Sequence, residues 1–290
     1  MNIIIAKTAG FCSGVQRGIG LIEKALAAQG KPLYALNFPV HNAVAVSGLI
    51  GRGLKFLNSL DGLAKDGALL IGTHGACPEV YAVAQANGIE IVDATCPMVK
   101  RVQRTARMAA GHSDMVIIVG NRNHTEVKSV CEWAGTGKAL VIESVDDVRN
   151  IPRGLSLAIV SQTTFSCREF GMIVDFIRKS AASGAIEVFR TICPATFRRQ
   201  EEVRELAGIA DKIFIIGDSS SANSLRLVET ALFENTPAKL VSSSGEITAE
   251  DLEGVEILGI SAGASTPDEV IRQCKNKIIT IADNAHVTSG

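Results

Sequence analysis

A cysteine motif that occurs three times limits what this chain can fold into. Cys12-Ser-Gly-Val15-Gln-Arg17, Cys96-Pro-Met-Val99-Lys-Arg101 and Cys193-Pro-Ala-Thr196-Phe-Arg198 share the pattern C-x-x-(V or T)-x-R, at intervals of 84 and 97 residues. Three copies of one thiol position imply three copies of one structural unit. Such units can aim three soft ligands at a single point. A metal that takes four ligands would then keep one position open for chemistry.

The rest of the sequence repeats in step with the cysteines. Each is followed by a helical pattern, as in Gly14 to Gln29, whose apolar Val15, Ile19, Leu21, Ile22 and Leu26 stop at Gly30. A short apolar strand comes next: Pro32 to Leu36, Met115 to Val119, Lys212 to Ile216. Each strand runs into a polar loop, and these carry His41-Asn42, His124-Thr125-Glu126 and Ser221-Ala222-Asn223. His41, His124 and Ser221 lie 29, 28 and 28 residues past their cysteines. A second series follows. Strands Ala68 to Ile71, Leu157 to Val160 and Val255 to Leu258 lead to Thr73-His74-Gly75, Gln162-Thr163-Thr164 and Ser261 to Ser265. Helical patterns then begin at Pro78, Cys167 and Pro267. This alternation predicts three small α/β units with largely parallel sheets. Ligands gather where parallel strands end and helices begin, so nine such loops packed around an axis would surround one central cavity.

Composition narrows the setting. The 290 residues are 47% hydrophobic and 20% charged with a net charge of −1, which fits a compact globular protein and argues against binding nucleic acid through phosphate neutralisation. The longest apolar runs are strand-sized, so no membrane span is expected. No basic, apolar leader opens the chain, so no signal peptide is expected either. Seven cysteines in such a chain read as reduced thiols or metal ligands, with the cytoplasm as the expected compartment.

Each motif cysteine precedes a predicted helix, where the partial positive charge of the helix end favours a thiolate. Thiolates suit zinc, copper(I) or an iron–sulfur cluster. No C-x-x-C pair is present, so a local zinc knuckle is disfavoured. Widely spaced single thiolates fit a site assembled by tertiary structure, such as a [4Fe–4S] cluster with three protein ligands. The plain alternative is small buried residues at helix starts. That reading is preferred for Cys77, Cys131, Cys167 and Cys274, which fall at non-equivalent positions. His41, His74 and His124, with Thr163, Thr164, Ser221, Asn223 and Ser265, supply neutral donors next to helix starts, as in an anion pocket. Capping and turn residues are the alternative. His112 and His286 are expected in a helix end and a terminal tail. Glu126 is the one carboxylate in these loops close to a histidine; burial beside an apolar ligand tail would raise its pKa and let it deliver a proton.

Taken together, the residues resemble the 4-hydroxy-3-methylbut-2-enyl diphosphate reductases, which close the non-mevalonate isoprenoid route. The matching stretches are Gly10 to Val15, Val40-His41-Asn42, Thr73-His74-Gly75, Asp93-Ala-Thr-Cys96-Pro97 and Gly120 to Glu126. They continue with Gln162-Thr163-Thr164, Cys193 to Gln200, Ser221 to Arg226 and Ala262 to Asp268. The resemblance implies a trefoil of three pseudo-threefold-related α/β domains: 14–96, 97–193, and 1–13 plus 194–280, with 281–290 as a C-terminal tail. It implies a [4Fe–4S] cluster held by Cys12, Cys96 and Cys193, whose open iron takes the substrate hydroxyl. It also implies a substrate surrounded by His41, His74, His124, Thr163, Thr164, Ser221, Ala222, Asn223 and Ser265. Glu126 matches the proton donor, working with Thr163. The implied reaction is a two-electron, two-proton reductive dehydroxylation that yields isopentenyl and dimethylallyl diphosphate. Ferredoxin or flavodoxin would bring the electrons to a monomer or weak dimer, in keeping with the lack of a G-x-G-x-x-G fingerprint. Two positions depart from the family pattern: Ala222 replaces a serine, and Cys77 stands where no cysteine is expected. The competing readings are a zinc phosphoesterase, which would bring more carboxylates into the loops, and a non-catalytic iron–sulfur sensor of a diphosphate metabolite, which would need neither Glu126 nor Thr163.

Overall fold

The computed structural model describes residues 1–28, 30–60, 63, 67–180 and 184–288, excepting the side chains of 285–288. The chain opens with β1 (Asn2–Ile5) and α1 (Ser13–Ala27). It continues through β2 (Leu33–Ala35), α2 (Ala43–Gly51), β3 (Lys55–Phe56), β4 (Ala68–Ile71), α3 (Pro78–Ala86) and β5 (Glu90–Asp93). Next come α4 (Pro97–Ala110), β6 (Met115–Val119), α5 (Thr125–Ala134), β7 (Ala139–Ile142), β8 (Leu157–Ser161), α6 (Cys167–Ser180) and β9 (Ile186–Val188). The last stretch is α7 (Pro194–Ala207), β10 (Lys212–Ile216), α8 (Ala222–Phe233), β11 (Ala238–Val241), β12 (Ile257–Ala262) and α9 (Asp268–Thr288).

The class is α/β, with three four-stranded sheets whose pairings are parallel: β3-β2-β4-β5, β7-β6-β8-β9 and β1-β12-β10-β11. Read from β11, the last sheet has the same order as the other two, with β1 in the place that β5 and β9 take. The repeat seen in the cysteines is thus a repeat of topology. Among the described residues, each of the nine α-helices follows directly on a strand, so each repeat offers three strand-to-helix loops.

The strands read as continuous apolar runs because both faces of each sheet are covered. In the second repeat, Ile117, Val119 and Ile159 face one way and pack with Phe170, Ile173 and Ile177 of α6. Val116, Ile118, Ala158 and Val160 face the other way, against Val102 and Ala106 of α4 and Val127 and Val130 of α5. Each such aliphatic side chain contributes about 1.5–3 kcal/mol by leaving water. Phe214, Leu258 and Ile260 pack likewise with Val270, Cys274 and Ile278 of α9.

Three local expectations are corrected. β12 starts two residues late and runs on to Ala262, because Gly259 admits the close approach of Ile213 Cγ1, 3.1 Å from where a Cβ would sit. The expected tail from 281 is the end of α9, which continues to Thr288 and includes His286. No glycine or proline interrupts 268–288, and Val270, Cys274, Ile278 and Ile281 recur at helical spacing on the core. α1 ends at Ala27, two residues short of Gln29, which lies outside the described residues, as do Ser289 and Gly290.

The chain divides into two compact units. One comprises Met1–Val15, His41–Gly48 and the chain from Pro194 on; the other comprises Gln16–Val40 and Leu49–Cys193. The second therefore holds two of the sheets. Among the described residues, no helix is long and apolar enough to cross a membrane.

Candidate active site

In the second unit, the polar loops after β6 and β8 meet through a carboxyl–threonine pair. Glu126 is 1% exposed, in the first turn of α5. The Thr163 backbone N–H donates to its Oε1 at 2.6 Å, and Thr163 Oγ1 donates to its Oε2 at 2.7 Å. β6 and β8 pair directly, Val119 opposite Ser161, which sets the two loops side by side. Burial pushes the Glu126 carboxyl up to about 7, and the two Thr163 bonds oppose that rise without cancelling it. Gln162 Nε2 donates to Thr164 Oγ1 at 2.8 Å, while its Oε1 accepts the Asn121 N–H at 3.0 Å, so the two loops are joined a second time. Gly120 permits this contact, since a Cβ there would lie 2.8 Å from Gln162 Cβ.

His124 caps α5: its Nδ1 accepts the Glu126 backbone N–H at 3.1 Å. A ring accepting at Nδ1 carries its proton on Nε2, which turns that nitrogen into a donor. The His74 ring stands edge-on to it, with centroids 5.4 Å apart and planes at 85°. The His74 loop is anchored by Thr73, whose N–H and Oγ1 donate to the Pro39 carbonyl at 2.9 and 2.7 Å. Gly75 follows with φ +76°, a backbone that glycine adopts without strain.

In the first unit, Ser221 caps α8 and accepts the Ser224 N–H at 3.3 Å. Ala222 and Asn223 open the helix, where unpaired N–H groups and the helix dipole favour an anion. Asn223 is 4% exposed and its Nδ2 has no protein acceptor. Ser265 Oγ donates to the His41 carbonyl at 2.8 Å, which ties the β12 loop to the start of α2. Asp218 Oδ2 accepts the Ala43 N–H of that helix at 2.9 Å. Burial lowers the pKa of His41, and the charge of Asp218 opposes this. Burial would raise Asp218, but the Ser220 and Ala43 N–H groups and the Ser220 hydroxyl outweigh it and hold the carboxyl below its ordinary value.

The three motif cysteines are half-buried thiols at helix starts. Their backbone N–H groups repeat one bond: Cys12 to the Ala264 carbonyl at 3.0 Å, Cys96 to Thr73 at 3.0 Å, Cys193 to Thr163 at 2.9 Å. Each cysteine is thus tied to the second-series loop of its own repeat, next to Ser265, His74 or Thr164. At Cys12 the sulfur accepts the Val15 N–H at 3.4 Å. Of the other four, Cys274 is buried in the core and Cys131 half-buried on α5. Burial, with lesser help from Glu246 and Glu132 respectively, pushes both thiols up to about 11. Cys77 is raised by burial, then by Glu132 and Glu79. A thiol held protonated is a poor nucleophile, so this shift works against reactivity at Cys77.

Asp218 was missed in the sequence, although its position was marked. Asn37, Asn121 and Asp218 each lie 25 residues past a motif cysteine. Asn121 and Asp218 make the same turn, accepting the N–H two residues on at 2.8 and 2.9 Å. Buried Arg199, which donates to the Gly10 carbonyl at 2.6 Å, gave no sequence signal, because a buried arginine looks like any other in a charged helix.

The LytB protein family model matches residues 3–279. A 4-hydroxy-3-methylbut-2-enyl diphosphate reductase from Caldanaerobacter subterraneus subsp. tengcongensis is 36% identical over 281 residues, 96% of each chain. One from Actinobacillus pleuropneumoniae serotype 7 is 33% identical over 285 residues, covering 97% of this chain and 91% of the relative. Among solved structures, the E-1-hydroxy-2-methyl-but-2-enyl-4-diphosphate reductase of Plasmodium falciparum superposes with a TM-score of 0.90 at 28% identity, over 95% of this chain and 87% of that one.

Proposed function

The chain belongs to the LytB protein family, and on that premise we propose that it is a reductase of (E)-4-hydroxy-3-methylbut-2-enyl diphosphate. It removes the allylic hydroxyl as water, with two electrons and two protons, and yields isopentenyl and dimethylallyl diphosphate. The observation that carries this reading is the buried Glu126–Thr163 pair. Burying a carboxyl in this way weakens the fold at neutral pH, so it needs a chemical reason. A sensor that only binds a diphosphate has none.

The pair performs one task. With its carboxyl raised to about 7, Glu126 is protonated in a substantial fraction of molecules at neutral pH. In that state Oε2–H donates to Thr163 Oγ1, and the threonine hydroxyl is released to donate to the substrate's hydroxyl oxygen. That oxygen then leaves as water, and Glu126 ends as a carboxylate already satisfied by two donors. Each unit offers neutral donors suited to a diphosphate: Nε2–H of His124 in one, and in the other the N–H groups opening α8 and Asn223 Nδ2, a buried donor whose acceptor would be the ligand.

A [4Fe–4S] cluster would suit the chemistry of Cys12, Cys96 and Cys193: each is a half-buried thiol at a helix start, fixed by the same backbone bond. When bound, the cluster supplies the electrons, received singly from a donor protein such as ferredoxin or flavodoxin. The test is anaerobic purification with iron and sulfide analysis, followed by an assay with the allylic diphosphate. Reductase activity in the parent, and its near-complete loss in a Glu126→Gln variant that keeps its iron, are the expected results. A Glu126→Gln variant that turns over normally would rule out the proton role.

A further inference from the structure

The His74 loop is open to a pocket along one flank. His74, Gly75, Ala76 and Cys77 border an open pocket of about 220 Å³, so side chains do not fill that flank. Gly75, with φ +76°, adds no side chain, and a Cβ there would lie 2.5 Å from Gln103 Nε2. Beyond the Thr73 anchor to Pro39, what holds the loop on that flank is a pair of hydrogen bonds at one atom. The Ala76 carbonyl accepts Ser129 Oγ at 2.9 Å and Trp133 Nε1 at 3.1 Å, both from α5. Gln103 Nε2, from α4, donates to Ser129 Oγ at 2.7 Å and so orients that hydroxyl toward the carbonyl. Ser129 and Gln103 are 1% and 3% exposed, which shields the bond between them from competition by water.

Three elements are joined there: α4, whose N-cap is Cys96; α5, which His124 caps and which carries Glu126; and the loop that carries His74. We propose that Ser129, with Gln103 and Trp133, is a positioning device that holds the His74 ring against His124 for binding the substrate's diphosphate. Shape complementarity does not hold the loop on its open side, so directional bonds to a single carbonyl do. The inference rests on the reading of His74 as a diphosphate ligand.

The test uses the cluster-loaded protein and calorimetric titration with inorganic diphosphate, a readout that needs no turnover. Ser129→Ala should weaken diphosphate binding about fivefold and raise KM for the substrate similarly, with kcat within about twofold of the parent. Trp133→Phe, which keeps the ring, should have a smaller effect of the same kind. In a His74→Ala background neither substitution should weaken binding further. Unchanged affinity in both brace variants, with His74→Ala itself weakened, overturns the inference alone. So does a loss that persists in the His74→Ala background. A His74→Ala protein that binds diphosphate like the parent removes the role of His74 and the inference together. Where Ser129→Ala fails to fold, Trp133→Phe and its pairing with His74→Ala decide the matter on the same criteria.

Discussion

Glu126 carries the chemical argument because its two environments conflict. Water-free surroundings favour the neutral acid, while two donors from Thr163 favour the anion, and burial prevails, leaving the carboxyl at about 7 against an ordinary 4.5. This has a consequence for stability. Below about pH 4.5 the group is protonated both folded and unfolded, and the folded state keeps its full stability. Between about 4.5 and 7 the folded protein retains a proton that the unfolded chain has released, so stability declines as pH rises, by about 3 kcal/mol in all. Glu126→Gln keeps both contacts without a charge. Urea denaturation across pH 5 to 8 should therefore show a flatter stability profile for the variant, which becomes the more stable protein at the alkaline end. In the parent, kcat should fall about tenfold per pH unit above about 7, as the acid form is lost. A profile flat through that range would mean the proton comes from elsewhere.

At the scale of elements, the helix starts carry most of the candidate residues, and their first residues set what each can bind. α8 opens with Ser221-Ala222-Asn223, where the resemblance leads one to expect a hydroxyl in place of the Ala222 methyl. Restoring it by Ala222→Ser should tighten inorganic diphosphate about tenfold in calorimetry, the lower end of what one hydrogen bond to a charged group contributes. No change would mean that this side chain does not face the anion. The loops show the same dependence on single residues. Gly75→Ala must accept a positive φ and displace Gln103, so it should cost about 2 kcal/mol in urea unfolding and loosen the His74 loop as well.

On the scale of the molecule, one unit of three strand-to-helix loops occurs three times, and the candidate residues are distributed over all three. Cys193→Ser is the plainest test of that distribution: iron and sulfide should fall far below the parent's content while the circular dichroism spectrum stays unchanged. A full complement of iron and sulfide would remove Cys193 from the ligand set. The sequence by itself determined the class, the repeat and most of the candidate residues, because apolar runs, helix stops and cysteine spacing are local patterns that survive without coordinates. It marked Cys12, Cys96 and Cys193, and Glu126, by position. Only tertiary structure decided that Glu126 lies beyond the reach of water with both oxygens on Thr163, 37 residues away. It also decided that Asp218 caps α2 across 175 residues, and that Ser129 and Trp133 converge on the Ala76 carbonyl. Burial and long-range hydrogen bonds are properties of neighbours brought together by packing, and no window of sequence contains those neighbours.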